Sequence, residues 1–346
     1  MAGKGAGGKD QGLFGAALPL VRMSDPGAER MIAELKEIVG AVGAGVRVQE
    51  AGKSSDSLGV SKLGGRLLGG MLGAGSELRC QIAGINLVIR ITSGPFCKPA
   101  LLPGFVNPML WQGSLKQLAA HRAHVLVAET DAGAGTSRDA LFDRATAATL
   151  ATAAMASLME PLGVAWLPAR NLVPVPLFGS EMERFMEGEA PLRLWMRWRV
   201  LVPPVQEELE LGELSGKALN PGVATVGLSA FLGAELVAPP STADHEAMLD
   251  QVFALASAVI DENLTLKNGA VFKQSAGPEL RLAWREESQW LPVPHWELVP
   301  RPAPAPAQPA PKPAITAAPD VTAGAEADDE AGRRIERRLR LVSRGK

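Results

Sequence analysis

Residues 77–91 read ELRCQIAGINLVIRI, two runs rich in apolar residues on either side of Gly84. Runs of this kind joined by so short a turn are typical of an antiparallel β-hairpin, here with strands over 77–83 and 85–91. Further along the chain, strand candidates also follow one another without a helix between them. The sequence therefore predicts an α+β fold with a largely antiparallel sheet covered by helices, rather than a doubly wound parallel sheet.

Three longer helices are predicted from their start signals. Capping residues precede apolar residues at helical spacing at 24–26 (SDP), 136–139 (TSRD) and 241–244 (STAD). We expect these helices to end at Gly43, Pro161 and Asn263. A shorter helix is expected from Ser114 to about His121. The repeated β–α–β grouping around the helices is typical of ferredoxin-like units.

The remaining strands are predicted where apolar residues alternate or run together. They cover residues 13–21, 45–50, 123–129, 164–168, 192–202, 224–228, 234–238, 270–274 and 279–284. The run 192–202 alternates most clearly. Its even positions are apolar, whereas Arg193, Arg197 and Arg199 share the other face with Trp195. We predict one long strand with an apolar face and a largely basic face.

Composition divides the chain of 346 residues into four parts. We expect residues 1–10 to be disordered and residues 11–298 to form a single α+β domain. Residues 299–330 form a Pro/Ala-rich linker, because eight of the twenty residues from 300 to 319 are proline. Residues 331–346 form a basic terminal peptide.

The formal net charge of −2 is the sum of two opposite contributions. Residues 300–346 contain nine basic and six acidic residues, a net of +3, which leaves −5 for residues 1–299. Ile335, Leu339 and Val342 recur at helical spacing, so the terminal peptide is predicted to be an amphipathic helix. Its candidate interaction residues are Arg333, Arg334, Arg337, Arg338 and Arg340. The overall charge excludes a basic protein but leaves a basic end.

One polar cluster in the sequence points to chemistry. His121 and His124 are followed by Glu129 and Asp131. A hydrolase could use the two imidazoles with either carboxylate as acid–base groups. Metal chelation is not expected, because His124 opens a strand, where positions i and i+3 face opposite sides, and a third ligand is missing. The simpler interpretation is a buried imidazole that hydrogen-bonds the backbone at a helix–strand corner.

No cofactor and no metal site is predicted, and the sequence lacks a GxxxxGK[ST] phosphate-binding loop. A catalytic serine is not expected either, because residues 227–231 lack the final glycine of a GxSxG nucleophile elbow. Lys98 could lower the pKa of the neighbouring Cys97, but a packed thiol is the expected role, and Cys80 is expected in the core. The glycine-rich residues 58–75 are either a plain loop or a contact element. No apolar run is long enough to cross a membrane, and we expect a cytoplasmic protein.

Three stretches resemble a known bacterial family, domain of unknown function 4261. They are residues 121–127 (HRAHVLV), residues 163–166 (GVAW) after an alanine-rich helix, and residues 225–236 (TVGLSAFLGAEL). The last stretch follows a threonine–x–glycine–leucine, phenylalanine–glycine, glutamate–leucine pattern, with Leu232 inserted before the glycine. The resemblance covers about residues 80–285. It implies an α+β domain of cytosolic bacterial proteins and no established activity, so it implies no catalytic residue.

Three hypotheses of function remain open. The first is a non-catalytic binding or scaffold protein that holds the basic peptide on its proline spacer and binds a protein partner with it. The second is a hydrolase that uses His121 and His124 with Glu129 or Asp131. The third is a peripheral protein whose basic peptide contacts an anionic surface, either lipid or nucleic acid.

Overall fold

The computed structural model describes residues 14–54, 75–106, 111–130, 136–202, 219–273 and 279–300. Four of the sequence predictions lie outside these ranges. They concern the N-terminal residues 1–10, nearly all of the glycine-rich stretch 58–75, Asp131, and the linker and basic peptide beyond Pro300.

Seven strands form the first sheet, in the order β2-β3-β4-β5-β1-β6-β7, and every ladder between them is antiparallel. Their bounds are β1 (Gly15–Leu20), β2 (Val46–Ser54), β3 (Gly75–Ile82), β4 (Ile85–Ser93), β5 (Ala123–Glu129), β6 (Gly163–Trp166) and β7 (Asn171–Pro174). The predicted hairpin is β3–β4. Its turn contains Ala83 and Gly84, both with positive φ, which suits the twist of adjacent strands.

Six strands form the second sheet, in the order β11-β12-β13-β10-β9-β8. Their bounds are β8 (Arg197–Leu201), β9 (Gly222–Val226), β10 (Glu235–Ala238), β11 (Val271–Phe272), β12 (Leu280–Arg285) and β13 (His295–Pro300). Strands β10 and β13 are parallel, and the other pairs are antiparallel. The predicted α+β class with largely antiparallel pairing is confirmed, although the strands form two sheets and not one.

Helices lie between these strands. They are α1 (Ala28–Ala41), α2 (Ser114–Leu118), α3 (Arg138–Met159), α4 (Val175–Met186), α5 (Leu192–Trp195), α6 (Ser229–Leu232) and α7 (His245–Asp261), with a 3₁₀ helix over Pro99–Gly104. Helix α3 connects β5 to β6, and these two strands run in the same direction with β1 between them. This connection is a split β–α–β unit of the kind that the repeated grouping predicted.

Start signals predicted two helices correctly and misplaced a third. The Ser137 hydroxyl accepts a hydrogen bond from the Ala140 N–H, and the Asp244 carboxylate accepts one from the Ala247 N–H, as expected of N-caps. The first helix begins only at Ala28, so the predicted start at 24–26 was wrong. In this stretch the Asp25 carboxylate accepts a hydrogen bond from the Gly27 N–H at 2.9 Å, which stabilises a turn before the helix.

The predicted long strand 192–202 was also wrong. Residues Leu192–Trp195 form helix α5, and the strand begins only at Arg197. The side-chain amide of Asn171, on β7, donates to the carbonyl oxygens of Arg193, Leu194 and Met196 at 2.7, 3.1 and 3.0 Å. This tertiary contact favours a turn over extended backbone, and the local alternation of residues does not reveal it.

Further elements were missed at the sequence level, among them α4, β7, α6 and β13. Helix α4 begins after Pro174 without a side-chain N-cap, so it lacked a start signal. Strand β13 pairs with β12 through Val299 and Pro300. The folded strand therefore continues two residues past the predicted boundary at 298.

The first sheet has an apolar layer on each face. Alternate residues such as Ile89, Val125 and Val127 face the helices and belong to one large core that also includes Leu236 and Leu282 of the second sheet. The opposite face is covered by the segment between β4 and β5. Phe96, Phe105 and Leu118 of this segment pack on Val88, Leu126 and Ala128 of the sheet and form a second, smaller core with them.

Aromatic rings connect the two sheets inside the large core. Phe14, just before β1, lies 5.3 Å from Phe231 of α6, and Phe231 lies 5.1 Å from Trp195 of α5. Trp166 of β6 lies 6.3 Å from Trp195. Since ring pairs at these separations add to the burial energy, this aromatic cluster holds β1 and β6 of the first sheet to α5 and α6, the helices next in sequence to β8, β9 and β10.

Gly227, between β9 and α6, has to be glycine for two reasons. Its φ is +106°, and a Cβ at this position would lie 2.5 Å from the Ala169 Cβ and 2.7 Å from the Trp195 carbonyl oxygen. We expect Gly227→Ala to lower the free energy of unfolding by more than about 3 kcal/mol, because backbone strain and overpacking add. Urea unfolding followed by tryptophan fluorescence measures the change.

The matched control is Gly233→Ala. Gly233 also has a positive φ, +69°, but no atom lies within 4 Å of the added Cβ. The Gly233→Ala variant should therefore lose only about 1 kcal/mol of its free energy of unfolding, from backbone strain. Equal losses at the two positions would contradict the steric part of the explanation.

Candidate functional site

His121 lies between α2 and β5 and is buried. Its Nε2 accepts a hydrogen bond from the Phe96 N–H at 3.2 Å. The proton is therefore on Nδ1, which donates to the Leu118 carbonyl oxygen. Both ring nitrogens form hydrogen bonds with backbone groups, as the sequence predicted for a buried imidazole at this helix–strand corner.

His124, on β5, is 1% exposed, and its Nδ1 donates to the Gly94 carbonyl oxygen at 3.0 Å. Burial lowers the pKa of His124; the Gly94 hydrogen bond opposes this shift, and His121 and Arg90 lower the pKa further. The ring is thus held neutral. The prediction that the two imidazoles face opposite sides was wrong, because His121 precedes the strand and both rings bond to the segment 94–96.

Buried polar side chains surround His124 on the same face of the first sheet. Thr92 is its cross-strand neighbour on β4, and Arg90 lies two residues before Thr92. Glu77 of β3 is paired with Arg90 in turn, and all of them are buried. We call Glu77, Arg90, Thr92 and His124 the polar face. Sequence reasoning missed Glu77, Arg90 and Thr92, since their proximity depends on the register of three strands.

Three atoms of the polar face have no hydrogen-bond partner among the described residues: His124 Nε2, Thr92 Oγ1 and Glu77 Oε2. The other carboxylate oxygen of Glu77 pairs with Arg79 at 2.9 Å. Buried polar atoms are normally satisfied by protein or by ordered water. Within the described ranges, no three His, Cys, Asp or Glu side chains are grouped closely enough to hold a metal ion.

Glu129 is on the other face of the same sheet. It is five positions after His124 on β5, and side chains alternate along a strand. Arg144 of α3 donates from Nε to Glu129 Oε1 at 2.6 Å and from a terminal nitrogen to Oε2 at 2.9 Å. The Phe14 N–H also donates to Oε2, and the guanidinium lies 5.3 Å from the centre of the Phe14 ring. The Glu129 carboxylate is therefore fully engaged in the large core.

This placement separates the residues of the hydrolase hypothesis. His121 and His124 bond to the segment 94–96, whereas Glu129 pairs with Arg144 across the sheet. Asp131 lies outside the described residues. One signal in the sequence could have revealed the ion pair, because Arg144 is a charged residue on the otherwise apolar face of α3 that contains Leu141, Ala145 and Ala148.

The cysteines are buried thiols. Burial raises the pKa of Cys97 to about 11 and that of Cys80 to about 12. The pKa shift of Cys97 is opposite to the lowering that the adjacent Lys98 suggested. At neutral pH the Cys97 side chain is a thiol and not the nucleophilic thiolate.

The stretch 225–236 forms a compact turn around one carboxylate. Glu235 accepts hydrogen bonds from the N–H groups of Gly227, Leu228 and Ser229 at 2.9 to 3.2 Å. It also accepts one from the Thr225 hydroxyl at 2.7 Å. The backbone donors that could bind an anion are thus occupied by the protein's own side chain.

Three arginines meet at the start of β8. Burial lowers the pKa of Arg197, and the charges of Arg170 and Arg199 lower it further. Arg197 also donates to the Gly104 carbonyl oxygen. The alternation over 192–202 predicts Arg197 and Arg199 on a basic face, but it does not reveal Arg170, which the turn before β7 brings to them.

Comparisons with known proteins give no relative. No family model, no curated protein and no solved structure matches the chain. The resemblance to domain of unknown function 4261 therefore stays a prediction. No helix within the described residues is both long and apolar enough to span a membrane.

Replacing Arg144 with Met should strongly destabilise the fold. The substitution leaves the buried Glu129 carboxylate without its cation, and we expect a loss of about 3–5 kcal/mol in the free energy of unfolding. The double variant Glu129→Gln/Arg144→Met removes both charges and should recover at least about 1 kcal/mol of that loss. Urea unfolding of the wild type and the variants measures both values. A double variant no more stable than Arg144→Met would contradict the charge-based explanation.

His124 should make stability depend on pH. Since the folded-state pKa lies below the ordinary 6.5, the unfolded chain takes up the proton first as the pH falls. The free energy of unfolding should therefore have its highest value above about pH 6.5. Below that pH it should decrease by up to about 1.4 kcal/mol per pH unit, until the folded-state pKa is reached.

Urea unfolding of wild type and His124→Gln at pH 8 and pH 5.5 tests this dependence. The difference at pH 8 measures the packing cost of the substitution, because the ring is neutral there in both states. The variant should lose less stability than the wild type between the two pH values. Equal losses would contradict the role of His124.

Proposed function

We propose that this chain is a non-catalytic binding or scaffold protein whose folded body holds the basic peptide 331–346 on a proline spacer. The observation that carries the proposal is the position of Glu129, across the sheet from His124 and paired with Arg144. The side chains that suggested a hydrolase thereby serve to brace the fold. The Cys97 thiol, whose pKa is raised by burial, adds no nucleophile at neutral pH.

The attachment point supports the second half of the proposal. Strand β13 ends at Pro300, and the proline-rich residues follow immediately. A polyproline II spacer extends about 3.1 Å per residue, so a spacer of some twenty residues gives the peptide a reach longer than a small domain. Tethering raises the effective concentration of a weakly binding peptide near a partner that the body also contacts.

A protein partner with an acidic surface is the ligand that we propose for Arg333, Arg334, Arg337, Arg338 and Arg340. The peptide has seven basic residues and one acidic residue over positions 331–346. Membership of the bacterial family domain of unknown function 4261 and a cytoplasmic location belong to the same proposal. An anionic lipid surface or nucleic acid is the alternative ligand for the same arginines.

Reversing the five arginine charges in the full chain tests the role of the peptide. Two full-length variants are compared with the wild type by affinity purification from a bacterial lysate: one with all five arginines changed to Glu, the other with all five changed to Lys. We expect the Arg→Glu variant to lose proteins that the wild type retains. The Arg→Lys variant keeps the charge and should retain most of them. Binding by the wild type should weaken as salt increases, because screening reduces attraction between exposed charges.

Two parallel assays separate the alternatives. The wild type, the Arg→Glu variant and the Arg→Lys variant are each mixed with vesicles containing anionic lipid and, separately, with duplex DNA. Charge-dependent binding to vesicles or DNA, without retained proteins, would favour the anionic-surface alternative. Identical partners for all three proteins would exclude the five arginines from the function.

A further inference from the structure

Strand β8 forms one edge of the second sheet. It pairs with β9 on one side, from Arg197↔Val226 to Leu201↔Gly222. On its other side, no backbone hydrogen bond joins residues 197–202 to another described segment. Such an edge presents N–H and C=O groups at the spacing of a further strand.

The two faces of β8 differ in chemistry. Arg197 and Arg199 point to one face, and Trp198 and Val200 point to the other. Trp198 packs 5.9 Å from Phe253 of α7, which fixes the inner part of the apolar face. Toward the end of the strand the apolar side chains are exposed, Val200 by 41% and Val202, just past it, by 71%.

Within the described residues, the basic face of β8 lacks a compensating acid. Arg170 and Arg199 are exposed, and Arg197 is half-buried. None of the three arginines forms an ion pair with an Asp or Glu among the described residues. Elsewhere on the same sheet Arg285 does pair with Glu297, at 3.0 Å. In the part of the chain that the structure describes, these three neighbouring positive charges therefore have no acidic partner.

We propose that the β8 edge binds an extended peptide of a partner protein in which acidic and apolar side chains alternate. The peptide adds a strand to the sheet, so that its backbone pairs with the open side of β8. Its acidic side chains lie over Arg197, Arg199 and Arg170, and its apolar side chains extend the face of Trp198 and Val200. The basic peptide 331–346 has the wrong charge for this edge, so the surface is separate from the proposed function of the chain end.

Binding of short peptides to the full-length protein tests the proposal. A fluorescently labelled peptide of about eight residues with alternating Glu and Val, close to a typical strand length, is titrated with protein, and its anisotropy is measured. The same residues in two blocks, four Glu and then four Val, keep the charge but lose the alternation. We expect the alternating peptide to bind at least about tenfold more tightly than the block peptide.

Arg199→Glu places a negative charge in the proposed site and should weaken binding about five- to tenfold, whereas Arg199→Lys should retain most of it. The matched control is Arg281→Glu, an exposed arginine on β12 of the same sheet, which should change the affinity less than about twofold. Equal weakening by Arg199→Glu and Arg281→Glu would overturn the proposal, because general attraction would then explain binding.

Three further results would also overturn it. One is equal affinity for the alternating and block peptides. Another is competition by duplex DNA at a similar affinity, which would point to recognition of phosphate. The last is no binding of either peptide by the full chain, including the case in which its own acidic residues in 203–218 compete for the edge.

Discussion

The buried ion pair between Glu129 and Arg144 is the constraint on which the rest of the structure depends. A guanidinium and a carboxylate inside an apolar core are tolerated only when each satisfies the other. The two bonds between them fix the end of β5 against the second turn of α3. Phe14 contacts both partners and continues into the aromatic cluster that joins the two sheets.

This arrangement explains why buried polar residues, including two that the sequence suggested for chemistry, serve the fold. The Glu129 carboxylate neutralises a buried arginine, the His121 ring spans two backbone groups, and the Glu235 carboxylate fills a ring of backbone donors. Each of these groups is buried where solvation is poor, so its hydrogen bonds contribute more than they would at the surface. Arg170 and Arg199, by contrast, are exposed at the surface.

The fold class could be predicted because its signals are local. The hairpin 77–91 and the caps at Ser137 and Asp244 depend on neighbouring residues alone. The errors arose where distant residues decide the outcome. Asn171 turns the backbone near 193–196, and the register of β3, β4 and β5 assembles the polar face. Neither the Asn171 hydrogen bonds nor the strand register produces a local residue pattern in the stretch whose structure it determines.

The position of β13 has a mechanical consequence. Its residues 295–297 pair with β10 on one side, and its residues 295–300 pair with β12 on the other. Tension on the terminal peptide therefore acts along an interior strand and loads two hydrogen-bonded ladders in parallel. A strand held in this way yields by shearing many bonds together, whereas an edge strand can be peeled away one bond at a time. The sheet thus resists a pulling force that is applied to β13 at Pro300.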